Sequence, residues 1–190
     1  MAKRNRTFPA RDNSHASTQC SLPQWDEVDV LGLLDEKSAP LLLVLEGIQD
    51  PHNLGACLRS ADAAGVDAVI VPRKGTAPVT ETVRRIACGG ADRLPVVTVG
   101  NLVQTLERLV KGGYRAIGLT DQGSNLIYDL DLTGPLALVL GNEGTGLRRL
   151  TCDRCSAVGR IPMAGSVDCL NLSVATGITL FEAVRQRLTV

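Results

Sequence analysis

Three short segments of this chain carry polar side chains and glycines at spacings suited to chemistry. In "DPHNLGACLRSADAAG", Asp50 to Gly65, Asp50 and Pro51 close a strand and Asn53 precedes Arg59 by six residues. Asn53 is expected to cap the helix that follows, with Arg59 nearly two turns into it. In "LVLGNEGTGL", Leu138 to Leu147, an apolar strand runs into the loop Gly141 to Gly146. Glycines let the backbone approach a ligand closely, and amides at a following helix N-terminus favour an anion. The G-x-x-G-x-G spacing is not the dinucleotide fingerprint and lacks the lysine of a phosphate-binding loop. Glu143 would repel a phosphate, so a ligand with a positive centre suits this loop better than a nucleoside polyphosphate. In "IPMAGSVDCLNLSVA", Ile161 to Ala175, a strand end and a turn at Gly165 and Ser166 lead through Asp168 to Leu170 and Asn171, where an amphipathic helix begins. Taken singly, each segment has a plain explanation: a capped surface helix with an exposed arginine, a generic nucleotide loop, a helix capped near Asp168.

The elements around these segments alternate in period. Strands are expected at Leu41 to Leu45, Ala68 to Val71, Leu94 to Val99, Arg115 to Leu119, Leu136 to Leu140 and Ala157 to Ile161. Between them, Leu54, Cys57, Leu58 and Ala61 share one helical face, Val79, Val83 and Ile86 a second, and Leu102, Leu106, Leu109 and Val110 a third. Leu170, Val174, Ile178, Phe181, Val184 and Leu188 form the apolar stripe of a last helix. The pattern predicts an α/β fold, a mainly parallel six-stranded sheet with helices on both faces. Residues 1–40 read differently: Lys3, Arg4, Arg6 and Arg11, then polar residues, then an acidic patch from Asp26 to Glu36. They are expected to be an arm and linker, on which Val28 to Leu34 could pack as a turn or two of helix, with residues 41–190 as the folded domain.

Composition narrows the function. At 190 residues there is length for one sizeable core, and aromatics at 3% are too few for a base-stacking platform. The formal charge of zero excludes binding nucleic acid by global basicity, so any basic patch is local. Two candidates are Arg73 and Lys74 with Arg84, Arg85 and Arg93, and Arg148 and Arg149 with Arg154 and Arg160. No apolar run approaches the ~20 residues that span a bilayer, and no signal core follows the basic N-terminus, so a cytoplasmic location without membrane attachment is expected. Six scattered cysteines are expected to be reduced thiols; Cys152 and Cys155 form a C-x-x-C without the second pair a zinc site needs, so no metal is expected.

Together and in this order, the three segments resemble the signature motifs of the SpoU (TrmH) branch of the SPOUT RNA methyltransferases. The resemblance implies a C-terminal trefoil knot, an S-adenosylmethionine cofactor, a homodimer, and methyl transfer to a ribose 2′-hydroxyl in RNA. It implies Arg59 as the main catalytic residue, supported by Asn53, with Glu143 in the catalytic pocket and Asn171 fixing the arginine across the dimer interface. It places Gly141, Ile161 and Leu170 at the cofactor, with Asn142, Gly146, Met163 and Ser166 beside them, and the first and last helices, including Phe181 and Val184, near the interface. The family usually has serine before the Leu-Asn pair; Cys169, a weaker donor, stands there and implies reduced activity if that serine positions RNA.

Within the family, the core is most similar to bacterial enzymes that methylate a guanosine ribose of 23S rRNA. Those normally carry an N-terminal RNA-binding domain that the first forty residues are too few and too polar to build, so a short variant is expected. A tRNA 2′-O-ribose methyltransferase and a non-catalytic RNA-binding protein on the same fold stand as alternatives. Arg59 is often cast as a general base in this family, but a guanidinium carries donors only. Electrostatic stabilisation of a developing 2′-alkoxide is the role its chemistry favours.

Overall fold

The computed structural model describes residues 37–142 and 144–189. Most of the expected arm, including Val28 to Leu34 and Cys20, lies outside them, as do Glu143 and Val190. Seven strands form one sheet: β1 (Leu41–Leu45), β2 (Ala68–Pro72), β3 (Val96–Val99), β4 (Arg115–Leu119), β5 (Asn125–Leu126), β6 (Leu136–Leu140) and β7 (Ala157–Arg160). Their order is β3-β2-β1-β6-β4-β7-β5, and every pairing is parallel. The expected count of six is corrected by β5. Two residues long and preceded by Gly123 and Ser124, it has no apolar run to announce it. The third strand starts at Val96 because Leu94 ends a helical turn and the Pro95 carbonyl, not an amide, meets the Val69 N–H.

Helices α1 (Pro51–Ala64), α2 (Glu81–Ala87), α3 (Gly90–Arg93) and α6 (Leu172–Leu188) cover one face, and α4 (Leu102–Lys111) and α5 (Arg149–Cys152) the other. The alternation of β1 decides this division: Leu41, Leu43 and Leu45 pack towards α1 and α6, Leu42 and Val44 towards α4. The expected face of α1, Leu54, Cys57, Leu58 and Ala61, is fully buried. On α4, Leu102, Leu106 and Leu109 are buried, whereas Val110 falls at the edge of the face and is exposed.

The last helix departs most from expectation. Its buried residues are Leu172, Thr176, Thr179, Leu180, Glu182 and Ala183, while Val174, Phe181 and Leu188 of the expected stripe are 49%, 50% and 77% exposed. Thr176 and Thr179 can line a core because their hydroxyls donate to the helix carbonyls of Leu172 and Ala175, each at 2.8 Å. Half of the expected stripe therefore faces away from its own domain, while Leu170, Ile178 and Val184 are half-buried.

One crossing organises the edge of the sheet. Strands β4 and β5 are consecutive in the chain, yet β7 lies between them, so residues 120–124 pass across β7. The Thr120 amide donates to the Gly159 carbonyl at 3.0 Å. A Cβ on Gly123 would stand 2.3 Å from the Gly159 carbonyl carbon, so only glycine permits the crossing.

Beneath α5, Cys155 packs against Gly118, whose added Cβ would meet the Cys155 sulfur at 3.0 Å. Burial pushes the Cys155 thiol up to about 12. The unfolded thiol ionises near ~8.5, so between these values the unfolded state alone loses the proton, and stability falls as pH rises above ~8.5. At pH 8, iodoacetamide should label exposed Cys88 and Cys169 in the native protein and reach Cys155 only after denaturation, as peptide mass mapping will read.

Candidate functional site

The carboxyl ends of β4, β6 and β7 open onto a cavity of about 400 Å³. Parallel strands end with their loops on one side, which gathers the second and third motif segments there. Leu119, Leu140 and Ile161 form the strand-end wall, the Gly141–Gly146 loop a second, and Met163, Leu170 and Leu172 a third. Asp121 and Asp168 add carboxylates, and no Lys or Arg is among the described residues of the lining. A larger hollow of about 780 Å³ lies at the amino end of the sheet, but its cations are already engaged. Lys37 pairs with Asp67, and Arg187 donates to the carbonyls of Ala39, Leu132 and Gly134.

Asn142 holds the second loop in shape. Its Nδ2 donates to the Gly47 carbonyl at 2.7 Å, its Oδ1 accepts from the Gly144 amide at 2.8 Å, and its own carbonyl accepts from the Gly146 amide at 2.8 Å. The loop closes so tightly that a Cβ on Gly141 would stand 2.2 Å from the Gly146 carbonyl carbon. Glu143, at the tip, lies outside the described residues.

The first motif meets the third outside the cavity. The cap of α1 is Asp50, whose Oδ1 accepts from the His52 amide at 2.9 Å, rather than the expected Asn53. Pro51 occupies the first helical position, which moves Asn53 into the first turn and aims it at α6. There its Oδ1 accepts from Asn171 Nδ2 at 3.0 Å. Asn171 is itself the cap of α6, accepting from the Ser173 amide at 2.9 Å, so Asp168 is left for the cavity wall. Asn53 and Asn171 are thus brought together. Gly141, Asn142, Gly146, Ile161, Met163 and Leu170 line the cavity; Ser166 is exposed and not among its lining residues, while Cys169 is. Arg59 is exposed on α1 and does not line the cavity of its own chain.

Glu46 is a residue the motifs did not single out. It follows β1 directly, is 5% exposed, and accepts from the Arg148 amide at 3.0 Å and the Thr151 hydroxyl at 2.8 Å. It thereby ties the end of β1 to the chain leaving the Gly141–Gly146 loop. The available signal was a carboxylate closing the run "LLLVLEG", where an apolar residue would continue a strand.

Comparison with known proteins agrees with this layout. Residues 40–181 match the SpoU rRNA Methylase family. The chain is 53% identical over 164 residues to the 23S rRNA (guanosine-2′-O-)-methyltransferase RlmB of Pseudomonas putida, covering 86% of this chain and 66% of that protein. It is 53% identical over 165 residues to the RlmB of Vibrio parahaemolyticus, covering 87% and 67%. The chain therefore spans about two thirds of the length of these curated relatives. Among solved structures it is similar to the SpoU methyltransferase AviRb from Streptomyces viridochromogenes in complex with the cofactor AdoMet, with a TM-score of 0.77, 30% identity and coverage of 84% and 65%. The TrmH/SpoU tRNA modifying enzyme of A. aeolicus gives a TM-score of 0.72 at 27% identity, covering 86% and 83%.

Removing the Glu46 carboxylate leaves the buried Thr151 hydroxyl and the Arg148 amide without their acceptor. Glu46→Ala should lower unfolding free energy by about 2–3 kcal/mol in urea titrations. Glu46→Gln should lose about half as much, because the rotatable Thr151 hydroxyl can accept from the new amide.

Proposed function

Because this chain belongs to the SpoU rRNA Methylase family, we propose that it transfers a methyl group from S-adenosylmethionine to a ribose 2′-hydroxyl in RNA, with a guanosine of 23S rRNA as the target. The observation that carries this reading is the cavity at the strand ends, walled by the second and third motifs and lined by Asp121 and Asp168 without Lys or Arg among its described residues. That donor set suits a ligand with an apolar purine and a positive centre and disfavours a polyphosphate. The relatives named as 23S rRNA guanosine methyltransferases, at 53% identity, favour rRNA over the tRNA alternative.

The bound cofactor supplies an electrophilic methyl group on a sulfonium. The chain's own residues hold and shield it: Leu119, Ile161 and Leu170 exclude water, and backbone groups of Gly141 and Gly146 fix its orientation. Arg59 stabilises the developing alkoxide with its guanidinium donors. It does so from the partner subunit, which fits its absence from the lining of the cavity in its own chain. Asn171, joined to Asn53 and flanked by the cavity residues Leu170 and Leu172, orients that arginine. Glu143 completes the catalytic pocket. Residues 41–190 act as the catalytic domain, closed by the family's trefoil knot, a reading supported by β7 lying between β4 and β5.

Dimerisation buries the α6 stripe, which explains why Val174, Phe181 and Leu188 are apolar where their own core leaves them exposed. Phe181→Glu should convert the dimer to a monomer in light scattering and abolish activity with the cofactor site intact. Labelled S-adenosylmethionine, offered to fractionated total RNA, should label 23S rRNA. Arg59→Ala should reduce that transfer by about 10²–10³-fold with cofactor affinity unchanged; label in tRNA alone would overturn the rRNA assignment.

A further inference from the structure

Cations are scattered over the surface of this chain, and close ion pairs engage many of them. Away from the strand ends, carboxylates take most of them up. Arg84 pairs with Asp92 and Lys37 with Asp67, while Arg93 meets Asp62 at 2.7 Å, Arg115 meets Asp131 at 2.5 Å, Arg154 meets Glu107 at 2.5 Å and Arg185 meets Glu182 at 2.7 Å. Arg160 donates to the Gly123 carbonyl at 2.7 Å. These contacts engage Arg84, Arg93, Arg154 and Arg160 of the two basic patches that the sequence suggested and leave Arg85 of the first exposed.

Four exposed cations gather at the carboxyl end of the sheet, while Arg59, Arg85 and Lys111 stand exposed on helices. Arg73 and Lys74 directly follow β2 and are exposed, with no ion pair to a described residue. Their loop is pinned at both ends, by the Arg73 amide on the Val99 carbonyl and the Ala77 amide on the Ile48 carbonyl, each at 2.8 Å. Arg148 and Arg149 have side chains 76% and 93% exposed, and their nearest carboxylates, Glu46 and Asp153, are 3.8 and 4.0 Å away, at the limit of an ion pair. The Glu46 contact holds Arg148 over the end of β1. In the sheet, β2, β1 and β6 are neighbours. The cations therefore step from β2, over β1, to the loop that walls the cavity at β6. With strands ~4.8 Å apart, the track crosses about 10 Å of strand ends.

We propose that RNA lies along this track, its phosphates held by Arg73, Lys74, Arg148 and Arg149, so that the strand is led into the cavity. The proposal rests on the methyltransferase reading and adds the surface that delivers the substrate. Arg73 and Lys74, with no ion pair to a described residue, and Arg148 and Arg149, whose carboxylates stand off at 3.8 and 4.0 Å, bind phosphates at less cost than a closely paired arginine, which must first give up its partner. Two neighbouring positively charged loops, each fixed by backbone hydrogen bonds, also set the register of the RNA.

The test measures binding of the full chain to a 23S rRNA transcript as a function of salt, with the wild type, the quadruple variant Arg73→Gln, Lys74→Gln, Arg148→Gln, Arg149→Gln, and Lys111→Gln. Lys111 ends α4 at the opposite end of the sheet and is also exposed, so it controls for loss of charge alone. The quadruple variant should show a slope of log affinity against log salt shallower by about 3, from ~0.7 per phosphate contact. Its S-adenosylmethionine affinity should stay within twofold of wild type, and Lys111→Gln should keep the wild-type slope. A quadruple variant with the wild-type slope overturns the track while leaving wild-type methyl transfer as evidence for the functional reading. A wild type that neither binds the transcript nor methylates it overturns both.

Discussion

A carboxylate taken out of water must find hydrogen bonds inside the protein, and Glu46 finds them only in the segment that follows the Gly141–Gly146 loop. This requirement couples the end of β1 to the wall of the cavity across some hundred residues of chain. Asn142 on Gly47 makes the same connection one residue further on. Two buried polar contacts thus fix a glycine-rich loop that has little apolar surface of its own to anchor it. The exposed Arg148 guanidinium is placed over the strand ends by the same carboxylate.

Most of the fold was legible because its signals are local. The strands β1, β4 and β6 have the bounds their apolar runs predicted, and all five residues of β1 and of β6 are buried, as a parallel sheet covered on both faces requires. What escaped were features whose cause is distant in sequence. The pairing of β5 is supplied wholly by β7, more than thirty residues later, and nothing in Asn125 and Leu126 encodes it. Which residues of the α6 stripe its own core leaves exposed was not legible either, because periodicity records that a face is apolar and says nothing of which surface covers it.

The site was legible in its parts and less so in its assembly. The glycines of the second motif and Leu170 of the third line the cavity, with Asn171 outside it, and the cap assignments exchanged roles. Asp50 and Asn171 cap their helices, which frees Asn53 to reach across and Asp168 to face the cavity. Sequence shows that a polar residue precedes a helix; which one caps it depends on where the first turn begins, and Pro51 settles that for α1. Glu46 left only a weak signal for the opposite reason, since a carboxylate after a strand is ordinary until its two distant donors are known.

The passage of residues 120–124 across β7 bears on how the chain is made as well as how it is held. Translation delivers β4 and β5 before β7, so a nascent chain carries the two flanks of a gap whose occupant has not yet been synthesised. The sheet edge closes only after residues 157–160 emerge and enter that gap, a contact of long sequence separation and correspondingly slow formation. Until then β5 has no neighbour, and the cavity lacks the wall that starts at Ile161. Ligand binding is thereby deferred to the final stage of biogenesis, and a ribosome-stalled fragment ending before β7, which also lacks the core residues Leu172, Leu180 and Ala183 of α6, is expected to have no usable site.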